Sequence, residues 1–222
     1  MVKLAKKINL LEVVSLKTAK DGKSCILQLN TNEVFNLSLD VVAKFKIFKG
    51  KKLTQDELNA LIKEQKIIEA KNTALNYVSV NPRTRHQVQQ KLAKAKFDPE
   101  VIDTAIKFLE DFGYLDDYKF AKEFADNSIK TKKASILKIK NDLFAKGVDK
   151  EIIESVLSEL QDSEVELENA LSLAKKKLRI ISQSKKQKNP LESVGQYLFR
   201  KGYDWDTISR VLEALRNEFE NS

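Results

Sequence analysis

LFAKGVD at residues 143–149 returns 55 positions later as LFRKGYD at 198–204, and in weaker form as LAKAKFD at 92–98. A lysine-rich composition can imitate such an echo, so the flanking residues decide. With Phe97, Val148 and Tyr203 in register, Asp98, Asp149 and Asp204 align, then Ile102, Ile153 and Ile208, then Ala105, Val156 and Val211. Ile106, Leu157 and Leu212 follow, and after them Leu109, Leu160 and Leu215. Steps of 4, 3, 1 and 3 residues describe one buried helical stripe used three times. Upstream, Val88, Ile139 and Val194 stand four residues before Leu92, Leu143 and Leu198. The echo is a structural repeat.

Each shared letter has a mechanical reading. The aspartates at 98, 149 and 204 are placed to cap the last helix of each unit, their carboxylates accepting from free backbone N–H groups at the positive end of the helix dipole. Pro99 at the first helical position and Glu100 after it fit that start. Gly147 and Gly202 fall where a left-handed residue closes the preceding helix, whereas the first copy has Lys96, which predicts a slightly strained or differently shaped turn. Phe97, Val148 and Tyr203 plug the corner between the two helices. Each unit has room for an earlier helix, at Glu69 to Val80, Asp117 to Lys130 and Glu164 to Ser182. The joints at 110–117 and 160–164 are short, and SQSKKQKN at 182–189 is a polar insertion before Pro190. The expected fold is mainly α: three tandem three-helix repeats forming an elongated curved array.

The first fifty residues follow a different period. LEVVSLKT (11–18), SCILQLN (24–30) and EVFNLSL (33–39) alternate as strands do, separated by AKDGK (19–23), with Asp21-Gly22, and by NTNE (30–33). They predict a three-stranded antiparallel meander, followed by a short helix from Asp40 to near Gly50. Three strands cannot bury two faces alone, so the module should pack on the helices that follow. Thr54 with Glu57, and Thr84 with Gln87, have the capping-box spacing of helix starts. The expected divisions are 1–53 for the strand-rich module, 54–116 for a connecting helix and the first repeat, 117–162 for the second and 163–222 for the third.

Composition narrows the functional classes. No apolar run is long enough for a membrane span and no secretory leader pattern is present, so a cytoplasmic protein is expected. The lone Cys25 lies in alternating CILQL and reads as a packed strand residue. Templates for phosphate-binding loops, dinucleotide folds, serine hydrolases and zinc sites are all missing, so neither an enzyme nor a cofactor is expected. The single His86 sits on or near the polar face of a helix starting at Thr84 with no recognisable partner. Asp116-Asp117 precedes a helix and reads as its caps.

Forty Lys and Arg against 32 Asp and Glu give a net charge of +8, which favours an anionic partner. The charge is segregated by segment. Candidate contacts in the second repeat are Lys130, Lys132, Lys133, Lys138, Lys140 and Lys146. In the third they are Lys175, Lys176, Arg179, Lys185, Lys186, Arg200 and Lys201, and in the first Arg83, Arg85, Lys91 and Lys94. Equivalent helices would thus carry positive charge along one side of the array. Either phosphates or an acidic protein groove could use that stripe. No recognition-helix set of Asn, Gln and Arg stands out, so nucleic-acid contact should be backbone-directed and salt-sensitive.

EDFGYLDDYKFA at 110–121 resembles the linker between the first two repeats of the RecX family of recombination regulators, matching at Gly113, Tyr114, Leu115, Asp116, Asp117, Phe120 and Ala121. ALNYVSVNPRTRHQVQQKL at 74–92 is similar to that family's opening pattern through Ala74, Tyr77, Pro82, Arg83, Thr84 and Leu92. The resemblance spans about residues 70 to 215. It implies three tandem three-helix repeats, and a monomeric binding protein that enters the groove of the RecA recombinase filament on single-stranded and double-stranded DNA. Such a protein lowers the filament's ATPase and strand exchange, within homologous recombination, DNA repair and the SOS response. The alternative expectation is a stand-alone DNA-binding helical-repeat protein acting through phosphate contacts; a third is an adaptor for an unrelated acidic protein.

Overall fold

The change of period near residue 54 is a change from strands to helices. A computed structural model describes residues 10–20, 22–160, 163–182 and 189–220; Asp21 and the lysines at 185 and 186 lie outside these. Strands β1 (Leu11–Thr18), β2 (Ser24–Leu29) and β3 (Val34–Ser38) are followed by α1 (Leu39–Lys44), the two-residue β4 (Lys52–Leu53) and α2 (Gln55–Val80). The three-helix repeats are completed by α3 (Arg85–Lys94) and α4 (Pro99–Asp111), then α5 (Asp117–Lys132), α6 (Ile136–Ala145) and α7 (Lys150–Glu159), then α8 (Ser163–Ser182), α9 (Pro190–Arg200) and α10 (Trp205–Glu220). Backbone contacts divide the chain into two compact units: residues up to Ser79 with Gln89–Phe112, and Val80–Val88 with Gly113 onward.

In the first unit the sheet has four antiparallel strands in the order β3-β2-β1-β4, not the expected three. The extra strand is too short to show alternation. It is placed by Gly50, whose N–H donates to Val13 O at 2.7 Å, and by Val13 N–H donating to Lys51 O at 2.9 Å. A register shift between Val13 and Ser15 ends the clean alternation of β1. The short helix also differs from its expected bounds. It begins at Leu39, capped by Ser38, which accepts from Val41 N–H at 3.3 Å, and it stops at Lys44 because Lys46 turns left-handed (φ 49°) and drops Ile47 into the core. One face of the sheet is covered by Val41 and Ile47 and by Leu58 and Leu61 of α2, where they pack on Val13, Leu27, Leu29 and Leu37. Cys25 is a buried strand residue.

Gln55–Val80 form one continuous helix, so the expected connecting helix and first repeat helix are a single rod. Both capping boxes are made: Thr54 N–H donates to Glu57 Oε2 at 2.8 Å and Glu57 N–H to Thr54 Oγ1 at 3.2 Å, and Thr84 and Gln87 exchange the same pair at 3.2 Å each. Hydrogen bonds from Thr54, the backbone N–H first, hold the Glu57 carboxyl below its usual range. The first helix of each repeat also buries two alanines one turn apart, Ala70/Ala74, Ala121/Ala125 and Ala170/Ala174. These small residues admit the stripes found in the sequence. Ile139, Leu143, Val148, Ile153, Val156 and Leu157 fill the second repeat's core; Val194, Leu198, Tyr203, Ile208, Val211 and Leu215 fill the third.

The aspartate caps differ from expectation. Asp98 and Asp149 occupy cap positions in extended backbone but make no side-chain cap bond; the carboxylate of Asp98 instead binds Lys66 Nζ at 3.0 Å. Asp204 does cap, accepting from Thr207 N–H at 2.8 Å. Lys96 is left-handed at φ 64°, the region of Gly147 (φ 76°) and Gly202 (φ 88°), so the first turn has the same backbone despite its side chain.

Candidate functional site

Within the second unit, one repeat is joined to the next by the same set of bonds, made twice. Thr84, fully buried, donates its hydroxyl to Lys146 O at 2.7 Å; the buried Ser135, one repeat on, donates to Lys201 O at 3.3 Å. A carboxylate from the following repeat satisfies the first N–H of each helix: Arg85 N–H donates to Asp117 Oδ1 at 2.7 Å, and Ile136 N–H to Glu166 Oε1 at 3.1 Å. Asp117 therefore caps the preceding helix α3, and only Asp116 caps α5, accepting from Lys119 N–H at 2.9 Å. Tyr203 adds a bond at the second joint, its hydroxyl donating to Lys133 O at 2.8 Å, and burial pushes that phenol well above its ordinary pKa.

These joints gather the candidate basic residues. At the first, Arg83 and Lys146 border an open groove of roughly 400 Å³ with Phe120, Phe124, Gln87 and Asn127. The ammonium groups of Lys146 and Lys132 lie 5.1 and 5.8 Å from the centre of the Phe124 ring, a geometry that holds a lysine by cation–π attraction while leaving its charge for an anion. At the second, the backbone carbonyls of Lys133 and Lys201 accept the joint's hydrogen bonds and the Cβ of Lys138 lies beside Gly202, while the Lys201 ammonium is 5.7 Å from the centre of the Tyr197 ring. Tyr197 takes a second ammonium at 5.7 Å from Lys177, a member of the same basic run.

Other candidates are already engaged. Lys138 pairs with Asp142 at 2.6 Å, Lys175 with Glu218 at 2.5 Å, and Lys133 Nζ donates to Ser172 Oγ. Lys130, Lys176, Arg179 and Arg200 are exposed and Lys140 is half-buried, and among the described residues none of them has a carboxylate partner. Lys91 and Lys94 are exposed and belong to the first unit, where Lys91 lies 5.6 Å from the Tyr77 ring. Arg85 is exposed next to the cap of α3. Lys185 and Lys186 lie outside the described residues. The sequence reading missed Thr84 and Ser135 as joint residues and Phe124 and Tyr197 as rings beneath lysines. Small hydroxyls four residues before the Val88 and Ile139 columns were the available signal.

His86 also belongs to the joint. A Cβ on Gly147 would lie 2.4 Å from the Cβ of His86, so this histidine is a packing neighbour of the turn glycine. Among the described residues no helix is long and apolar enough to cross a membrane.

The chain is similar to known proteins in sequence and fold. Family models described as the first, second and third three-helix domains of RecX match residues 70–109, 116–157 and 164–212. A regulatory protein RecX of Clostridioides difficile is 32% identical over 178 residues, covering 80% of this chain and 82% of that one. One of Finegoldia magna is 33% identical over 187 residues, covering 84% and 91%. A crystal structure of RecX from Lactobacillus salivarius is similar at a TM-score of 0.60 and 28% identity, over 68% of this chain and 97% of that one. Another crystal structure, of regulatory protein RecX, reaches a TM-score of 0.72 at 22% identity, over 92% of this chain and all of that one, a likeness of fold. With all three repeats matched in order and full-length relatives near one-third identity, the chain belongs to the RecX family of regulatory proteins.

Proposed function

We propose that this chain is a non-enzymatic regulator that binds the RecA recombinase–DNA filament in its groove and lowers the filament's ATPase and strand-exchange activities in the cytoplasm. The observation that supports this best is the return of lysine and arginine to equivalent joints, Arg83, Lys132 and Lys146 at one and Lys133, Lys138 and Lys201 at the next. Positive groups spaced by a fixed structural period suit a partner that is itself periodic and anionic, as a filament on DNA is. Binding should be strongly salt-dependent, since each phosphate neutralised adds about 0.7 to 0.9 to the slope of log K against log salt.

The test is a titration into recombinase on single-stranded DNA, following ATP hydrolysis and filament length, beside a gel shift on naked DNA. Inhibition at stoichiometric protein supports the proposal. Untouched ATPase with tight binding to bare DNA supports the stand-alone DNA-binding reading instead, and binding to neither favours an adaptor for another acidic protein. Lys132→Glu with Lys146→Glu should weaken filament binding at least about tenfold, because reversal replaces two attractions by two repulsions. Lys138→Glu should do less, since Asp142 already offsets that charge.

A further inference from the structure

The third repeat departs from the second at two positions that face one another across a groove. In the repeat register Gly195 stands where the second repeat has Lys140, and Trp205 where it has Lys150. Removing two lysines and adding an indole changes the chemistry between α9 and α10 from basic to apolar. Gly195 is buried, and even a bare Cβ there would touch Leu212 Cδ1 at 3.4 Å, so the glycine keeps the floor low. The result is an open groove of roughly 720 Å³ with Leu191, Gly195 and Leu212 at its base and Phe199 and Trp205 along its walls. Phe199 is 67% exposed and Trp205 70%, a paired exposure of large rings that soluble proteins keep for a contact surface.

The rim defines what fits. Arg200 and Arg216 border the groove, and among the described residues neither has a carboxylate partner. Glu192, the acidic residue of the lining, is occupied by Asn189 Nδ2 at 3.2 Å and Gln196 Nε2 at 3.4 Å. The two longer segments outside the described residues carry the wrong sign: residues 1–9 hold Lys3, Lys6 and Lys7, and 183–188 hold Lys185, Lys186 and Lys188, with no acid in either. We propose that the groove between α9 and α10 is a docking site for an amphipathic helix of a partner protein, one that inserts apolar side chains over Gly195 and sets carboxylates against Arg200 and Arg216. A leucine- or phenylalanine-bearing helix edge matches an aliphatic floor, and acidic flanks match the guanidinium groups of Arg200 and Arg216. The site needs no DNA.

Trp205 is the chain's single tryptophan, so its emission reports the groove directly. The full chain is titrated with a synthetic helical peptide carrying Leu or Phe at i, i+3, i+4 and i+7 and Glu beside them, with the same peptide bearing Lys for Glu, and with oligothymidylate. The expected result is a saturable blue shift with the Glu peptide and binding at least about tenfold weaker for the Lys peptide or for the Arg200→Glu, Arg216→Glu double variant. Both arginines are exposed, and unchanged far-ultraviolet circular dichroism confirms that the variant is folded. Equal binding of the two peptides overturns the proposal. So does quenching by oligothymidylate without a response to the Glu peptide, which would make the rings a base-stacking surface, or a blue shift produced by raising the protein concentration alone, which would mean a second copy fills the groove.

Discussion

The turn at Lys96 and the turns at Gly147 and Gly202 have one backbone and two sets of surroundings. All three residues are left-handed. Around Gly147 and Gly202 the preceding repeat presses its second helix against the turn, so that a side chain would meet His86 Cβ at 2.4 Å in one case, and Ser135 Oγ at 2.7 Å and Lys138 Cβ at 3.0 Å in the other. Lys96 opens the series, has no repeat before it, and is exposed. The left-handed angle is therefore a requirement of the turn, whereas glycine is a requirement of the joint. That distinction explains how LAKAKFD can be the same device as LFAKGVD with a different letter at its centre.

The comparison breaks most visibly at Gly147. Gly147→Ala forces a Cβ onto the Cβ of His86, an atom that no rotamer change can move, and adds the cost of a left-handed alanine. The expected loss is about 2 to 4 kcal/mol by urea unfolding. Because the clash is with Cβ as well as with the ring atoms Cγ and Cδ2, His86→Ala should rescue it only in part. Gly202→Ala should cost about 1 to 3 kcal/mol, since its nearest neighbour is the Ser135 hydroxyl, which can turn aside only by giving up its bonds to Lys201 O and Lys138 N–H. Losses below about 1 kcal/mol at both positions would mean that the joint is looser than these distances say.

Tyr203 separates the joints from each other. It is the one corner residue of the three that reaches back to the preceding repeat through a hydroxyl, at Lys133 O. Tyr203→Phe should cost about 1 kcal/mol near neutral pH, the value of one partly buried hydrogen bond. Alkali sharpens the result. Burial raises the folded pKa of this phenol above its unfolded value, so the folded state holds the proton longer, and the stability it supplies is present below about pH 10 and is lost as pH climbs beyond it. The wild-type chain should thus lose more stability than Tyr203→Phe above that point in pH-dependent urea unfolding. Parallel curves would place the alkaline loss elsewhere.

What the sequence made legible was whatever repeats along the chain. The columns from Ile102 to Leu215 marked the buried faces of α4, α7 and α10, and both capping boxes marked helix starts that form as read. What it hid was whatever repeats across the joints. Asp117 opens α5 in sequence and caps α3 in space, 32 residues back. Thr84 and Ser135 look like ordinary caps until their hydroxyls are found bonded to carbonyls 62 and 66 residues away. Lys132 and Lys146 share one aromatic ring although one ends α5 and the other follows α6. A linear pattern records what a residue does for its own helix, and these side chains act on another.

The smallest effect should have the opposite sign. Lys96 holds φ at 64°, where a side chain bearing Cβ is disfavoured by roughly 1 to 2 kcal/mol. Lys96 is exposed, so Lys96→Gly relieves that penalty without opening a cavity. Against it stands the greater freedom of glycine in the unfolded chain, roughly 0.5 to 1 kcal/mol. The difference predicts a gain of about 0.5 to 1 kcal/mol in urea unfolding, measured as a higher midpoint at unchanged slope. A loss of stability would show that Lys96 makes a contact that compensates its strained backbone, and the first turn would then be a joint in its own right, with a neighbour other than a repeat.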